Sequence, residues 1–301
     1  MPARASWVML YHLLIFRPMV ETLLNSKWAL EPSFHDRMAL IVMQRLAAGK
    51  TAVMIEEDRP DPYFVSIISA ASAGRSSSRN QEDEGRVVVL PIMGTMSRYG
   101  DFCSYGTEDY ASWIIEANND PTISAIVLEI NSPGGQVDGT EALGEVIRTS
   151  KKPVVAWVAG MAASAAYWVA SQASHIMMES KTSSEVGSIG VLAMHVDASE
   201  AYQKEGYKVT IVRATGSEDK ALFNSIEPLS DAVLNETKAV LSVIRKEFEA
   251  TVKAGRPEID ENVFTGKMYM GRDAIKLGMA DSIGFLGDAI AKAAKLAKQA
   301  A

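Results

Sequence analysis

The spacing of apolar positions changes near Arg86. From there on, short β-branched or apolar runs alternate with stretches in which apolar residues recur every three or four positions, which is how an α/β domain reads. The runs at 87–92, 125–130, 154–158, 175–178, 189–194 and 208–212 predict strands, and 107–118, 139–150, 162–171 and 198–205 predict helices between them. Beyond Lys220 the pattern is helical over 230–254, 272–277 and 286–298. Upstream, residues 19–70 read as helical, with Met38, Leu40, Ile41, Met43 and Leu46 at mixed spacings and Pro32 after a turn. Residues 71–85 are rich in Ser, Arg, Asp and Glu, have almost nothing to bury, and read as a flexible linker. The expected organisation is therefore a helical extension (1–70), a linker (71–85), an α/β domain (86–290) and a helical tail (291–301). No repeat of fixed period is present, which argues against a solenoid.

An apolar run at 7–16 resembles a leader or anchor, but it is about half of the ~20 residues a membrane span needs, and Arg17 and Pro18 close it. No small-residue cleavage site follows it, and Met19 is an alternative start. The expectation is a soluble, cytoplasmic protein with no membrane span. A chain of 301 residues accommodates one large domain with additions. Its net charge of -7 provides no broad basic surface, so nucleic acid is not an expected partner. Cys103 is the single cysteine and excludes an internal disulfide. His12, His35, His175 and His195 are scattered, without metal-ligand spacing, so neither a metal nor a cofactor is expected.

Two glycine turns carry the candidate chemistry. In the first, an apolar strand runs through Asn131-Ser132-Pro133-Gly134-Gly135 into a helix. Glycines there let the backbone bend sharply and aim its N–H groups into open space, as an oxyanion hole requires, although a plain strand-to-helix turn has the same composition. In the second, a β run ends at Gly160 and Met161-Ala162-Ala163-Ser164-Ala165-Ala166-Tyr167 opens a helix of very small residues. A serine at that point exposes its hydroxyl, and the helix dipole favours the alkoxide; an ordinary helix N-cap is the alternative.

These motifs, with Val186-Gly187-Ser188-Ile189-Gly190-Val191, Phe264-Thr265-Gly266 and Gly278-Met279-Ala280-Asp281-Ser282-Ile283-Gly284, resemble the S49 family of serine peptidases. The family includes signal peptide peptidase A and the capsid-assembly proteases of tailed phages, and the likeness runs over residues 87–287. It implies an α/β Clp/crotonase-like fold of β-β-α units wound into a superhelix, here with a helical N-terminal extension and a helical C-terminus. It also implies a homo-oligomer, a polypeptide substrate and a Ser-Lys dyad, with Ser164 as nucleophile. Lys220, in Gly216-Ser217-Glu218-Asp219-Lys220-Ala221, resembles the family's base, although Ala221 stands where the family places an acidic residue. A lysine acts as base only when its amine is neutral near pH 7, which demands burial. Ser188 resembles the serine that holds this amine, and the backbone amides of Gly134, Gly135 and Ala165 are the expected oxyanion donors. The related Clp peptidase uses a Ser-His-Asp triad, for which His195 and Asp197 are the candidates here, while both His175 and His195 also read as strand-end residues.

Within the family, Asn25-Ser26-Lys27-Trp28-Ala29-Leu30-Glu31-Pro32 resembles the phage branch. That implies cleavage of scaffold or capsid proteins in the host cytoplasm or the assembling head. The alternatives are a signal-peptide-degrading peptidase, an acyl-CoA enzyme of crotonase type in which the two turns hold an enolate, and an inactive shell protein of the same fold.

Overall fold

The computed structural model describes residues 28–30, 60–66, 85–100 and 104–300. The described residues fall into two compact units interleaved in sequence. One holds 28–30, 60–66, 85–100, 104–191 and 247–300, the other 192–246.

In the larger unit, eight strands form one sheet: β2 (Tyr63–Ser66), β3 (Arg86–Met93), β4 (Ile123–Ser132), β6 (Val154–Ala163), β7 (His175–Met178), β8 (Glu185–Gly187), β9 (Met268–Met270) and β10 (Ser282–Ile283). The spatial order is β10-β7-β6-β4-β3-β2, with β8 pairing further along β6 and β9 pairing β8. The pairs β3/β4, β4/β6, β6/β7, β6/β8 and β7/β10 are parallel, while β2/β3 and β8/β9 are antiparallel. Two short strands, β1 (Trp28–Leu30) and β5 (Gly134–Gln136), pair separately.

Parallel strands buried on both faces read as continuous apolar runs, and 87–90 and 125–128 do so. Alternate residues then point to opposite layers. Val87, Val89, Ala125, Val127, Val155, Trp157 and Met177 meet Ala289, Ala293 and Ala294 of the helix Leu286–Ala300, whose small side chains let it lie close to the sheet. On the other face, Val88, Leu90, Ile126, Leu128, Ala156 and Val158 are equally buried. There α1 (Thr107–Asn119) packs against β4, and Tyr110 donates its hydroxyl to the Pro91 carbonyl at 2.8 Å. The helix α2 (Thr140–Arg148) packs against α3 (Ala165–Ala170), where Trp168 stacks on Phe248 with ring centroids 4.4 Å apart.

Several expectations need correction. Within the stretch expected to be helical (19–70), the described residues 28–30 and 63–66 are strands and 60–62 have no regular structure, and the rest lies outside the described residues, as do 71–84 of the linker and the apolar run at 7–16. The run Tyr63-Phe64-Val65-Ser66 is aromatic and β-branched and has a partner in β3, so pairing overrides the helical reading. Conversely, 189–194 and 208–212 are not strands. Their apolar content suits a pleated surface, but the first run carries a single bridge at Leu192 and no ladder, and in the second Val209 and Val212 are exposed. His195 is therefore not a strand-end residue, whereas His175 does open β7.

The closing segment is fastened by an ion pair. Arg256 meets Asp281 through two hydrogen bonds of 2.8 and 2.7 Å and donates a third to the Gly278 carbonyl, while Asp281 also accepts the Ile176 amide at 2.7 Å. Burial pushes the Asp281 carboxyl up, but the guanidinium and the amide outweigh it and hold it below the usual carboxylate range. A depressed carboxylate stabilises the fold fully above its unfolded pKa of about 3.9, and that stability is lost as pH falls through the folded value. Asp281→Asn is accordingly expected to cost about 2 kcal/mol at pH 7, somewhat less than a fully buried pair because Asp281 is partly exposed. In thermal melts the gap between wild type and variant should narrow once the pH drops below about 4.

Candidate active site

The site grows out of the fork in β6. Its first half pairs with β7 through Val155 to Val158 and its last three residues pair with β8, in the register Met161 to Glu185, Ala162 to Val186 and Ala163 to Gly187. On the opposite edge, Ser132 at the end of β4 lies against Ala162. Three expected segments thus converge at one end of the sheet: the glycine turn after β4, the Ser164 turn after β6 and the Gly187-Ser188 turn after β8.

Ser164 sits between β6 and α3 with φ 55° and ψ -118°. A non-glycine residue in this region carries strain of about 1–3 kcal/mol, and such strain concentrates where a side chain must be presented for function. The conformation is held from both sides: the Ser164 amide donates to the Gly187 carbonyl at 2.8 Å, and its carbonyl accepts the Trp168 amide at 2.8 Å. An N-cap serine would turn its hydroxyl back onto the helix amides, but Ser164 makes no such bond. Its Oγ instead faces the Gly190 carbonyl at 3.4 Å, a long contact that is readily exchanged. The first amides of α3, those of Ala165, Ala166 and Tyr167, have no intrahelical acceptor, as in any first turn.

Ser188 is buried and has φ 54°, and its amide donates to the Lys267 carbonyl at 2.9 Å. Beside it Gly187 is obligatory: its φ is 135°, and a Cβ there would stand 2.3 Å from the Lys267 carbonyl oxygen. This turn therefore touches both the Ser164 backbone and β9.

Of the two glycines after β4, Gly134 has φ 92° and donates its amide to Ser132 Oγ at 3.2 Å, while Ser132 Oγ donates to the Gly94 carbonyl at 2.6 Å. Gly135 has a different constraint, since a Cβ there would lie 1.8 Å from the Met96 carbonyl oxygen. Met96 holds this strand by accepting the Gln136 amide and donating to the Gly134 carbonyl, each at 2.9 Å. Backbone groups alternate sides along a strand, so the Gly135 N–H and C=O face away from Met96.

Lys220 belongs to the smaller unit, as does His195. Lys220 is exposed on a turn, which departs from the burial expected of a base, and its neighbours Glu218 and Asp219 are exposed too. The loop around it is well defined, a feature that sequence reasoning missed. Arg213 donates to the Lys220 carbonyl at 2.6 Å and to the Ala221 carbonyl at 3.0 Å, and forks onto Glu227 at 3.0 and 2.6 Å. Asn224 adds its amide to Ala221 O and Glu227 Oε2. The Arg213 guanidinium and the Asn224 amide hold the Glu227 carboxyl down at about 2. This clasp accommodates Ala221 at φ 57°. No local spacing in the sequence announces Arg213 as the partner of Glu227.

The triad candidates are occupied otherwise. His195 donates Nε2–H to the Asn224 carbonyl at 2.6 Å, and Asp197 accepts the Ser199 amide at 2.9 Å ahead of α4 (Ser199–Lys204). Among the described residues, no group of three or more His, Cys, Asp or Glu could hold a metal ion.

Comparison with known proteins gives the geometry its context. Residues 108–184 match the Clp protease family, and residues 147–300, just over half of the chain, match peptidase family S49. The chain belongs to peptidase family S49. Its mixed α/β fold is of the Clp/crotonase type that the resemblance implied. Protease 4 of Salmonella typhi is 33% identical over 64% of this chain and 31% of its own length. Capsid assembly protease C of Escherichia phage lambda is 28% identical over 74% of this chain and 52% of its own. The S49 chain thus spans about a third of Protease 4 and about half of the lambda protein. A mutant of the 1510-N membrane-bound stomatin-specific protease, in complex with a substrate peptide, is 18% identical with a TM-score of 0.39, covering 68% of this chain and 77% of that one. Hydrolysis of peptide bonds by a serine nucleophile is the chemistry of S49. Among the described residues, no helix is long and apolar enough to cross a membrane.

Proposed function

We propose that this chain is a serine endopeptidase in which Ser164 attacks the peptide carbonyl and Lys220 is the general base. The observation that carries this reading is the strained, doubly pinned Ser164 at the β6–α3 turn, next to a strand whose Gly135 amide points away from its own sheet contact. In the proposed reaction Lys220 Nζ takes the Ser164 hydroxyl proton and Ser164 Oγ bonds to the carbonyl carbon. The Gly135 and Ala165 amides receive the oxyanion; Gly134 contributes mainly by shaping the turn, because its amide is engaged by Ser132. The C–N bond then breaks as the lysine returns the proton to the leaving amine, and water releases the acyl group by the same route. Ser188 is assigned to hold the lysine amine.

A neutral lysine requires that the exposed Lys220 loop be covered, and a homo-oligomer would cover it. The substrates proposed are scaffold or capsid proteins, supported by the alignment with capsid assembly protease C over most of this chain. A second reading, a peptidase that degrades signal peptides, is supported by the likeness to a putative signal peptide peptidase SppA of Enterococcus faecium, 24% identical over 68% of this chain and 62% of its own length. The test is cleavage of purified capsid or scaffold protein and of a signal peptide by wild type, Lys220→Ala and His195→Ala. Loss of at least about 10³-fold in Lys220→Ala with His195→Ala active supports the dyad. The reverse pattern means that the base is misassigned, and the preferred substrate separates the two readings.

A further inference from the structure

The strand β1 lies against β5, the strand that carries the proposed oxyanion donor Gly135. It pairs antiparallel with β5 in the register Trp28 to Gln136, Ala29 to Gly135 and Leu30 to Gly134. Met96 already occupies the other edge of β5 through the Gly134 carbonyl and the Gln136 amide. The Gly135 N–H and C=O consequently face β1, which makes Gly135 and Ala29 the hydrogen-bonded pair of this ladder. The carbonyl that accepts the Gly135 amide is then that of Ala29. Also, β5 packs against α3, the helix that begins directly after Ser164.

Among the described residues the strand partner of β1 is β5, and the two form a ribbon apart from the eight-stranded sheet. A two-stranded ribbon three residues long is marginal in water, so such a strand is exchangeable rather than structural. An exposed sheet edge is also what an extended peptide uses when it binds by adding a strand, drawing its affinity from main-chain bonds that any sequence can make.

We infer that residues 28–30 are an intrachain occupant of the peptide-binding edge, seated as a substrate-like strand with the Ala29 carbonyl on the Gly135 amide, and that a polypeptide substrate has to displace them. This rests on the proposed peptidase reading, since it takes the Gly135 amide as an oxyanion donor. The consequence is self-inhibition that weakens with substrate concentration. If the edge is free about a tenth of the time, the apparent affinity for substrate is reduced about tenfold.

The test uses the full chain with Ala29→Pro, which removes the one N–H that β1 gives to the Gly135 carbonyl, and compares steady-state kinetics on a fluorogenic peptide. The expected result is a KM at least about fivefold lower with kcat within about twofold and an unchanged Tm. A synthetic peptide spanning residues 25–33, added in trans, should inhibit Ala29→Pro competitively. It should also bind the Ser164→Ala, Ala29→Pro double variant by fluorescence anisotropy more tightly than it binds Ser164→Ala alone, a readout independent of turnover. The inference is overturned if Ala29→Pro has the wild-type KM, or a higher KM with a lowered Tm, and equally if the peptide neither competes nor binds. Failure of the peptidase reading looks different, because cleavage would then persist in Ser164→Ala.

Discussion

Ser164→Ala is expected to lower kcat/KM for peptide hydrolysis by at least about 10⁴-fold while leaving the fold intact. Removing the nucleophile from a dyad or triad costs most of the rate above water, because the remaining residues have nothing to activate. The stability cost should be small for a specific reason. The side chain makes one long contact, to the Gly190 carbonyl at 3.4 Å, whereas the turn is pinned by backbone bonds to Gly187 and Trp168 that alanine keeps. Alanine also retains the strain at φ 55°, so its Tm should fall within a few degrees of wild type. Ser164→Gly separates the two effects: it is equally inactive, yet relieves the positive φ and should melt higher than Ser164→Ala. If the two melted identically, the strain assigned to this turn would be wrong.

The second large effect belongs to Gly135→Ala. Here there is no space at all, since the added methyl carbon would stand 1.8 Å from the Met96 carbonyl oxygen and 2.6 Å from the Met96 nitrogen. Both are backbone atoms, so relief requires that β5 move. Forced overpacking of this kind costs about 1–3 kcal/mol, and displacing a single oxyanion donor costs about 10²- to 10³-fold in rate. The expected outcome is a lower Tm together with a fall in kcat that exceeds any change in KM. Gly134→Ala should be milder in rate, because the Gly134 amide is already given to Ser132 Oγ and its constraint is the φ of 92°. Equal losses in the two variants would mean that the assignment of Gly135 as donor is wrong.

Much of the α/β scaffold was legible because its signals are local. The strands at 87–92, 125–130 and 175–178 and the helices at 107–118 and 286–298 carry their period over enough residues to declare themselves, and all are observed. The turns after β4, β6 and β8 stood out by their small residues and by the family resemblance, but that they come to one end of the sheet is set by the pairing of β6 with β4 and β8. What escaped was pairing between remote segments. The strands β8 and β9 are three residues each and exist because Gly187 comes within reach of Met268. The strand β1 is equally short, and no period can be read from Trp28-Ala29-Leu30. The runs at 189–194 and 208–212 mislead in the opposite sense, since their composition suits strands that no described neighbour completes. Lys220 shows the limit most clearly. Its family context was readable, but exposure is a property of what covers a loop, and the covering surface is not encoded in the loop itself.

The most direct test of the central claim is to treat the folded protein with a fluorophosphonate and locate the adduct by peptide mass. The account predicts one phosphonylated residue, Ser164, with labelling abolished in Ser164→Ala, strongly slowed in Lys220→Ala and unaffected in His195→Ala. An adduct on another serine, or labelling that depends on His195 and not on Lys220, would contradict it.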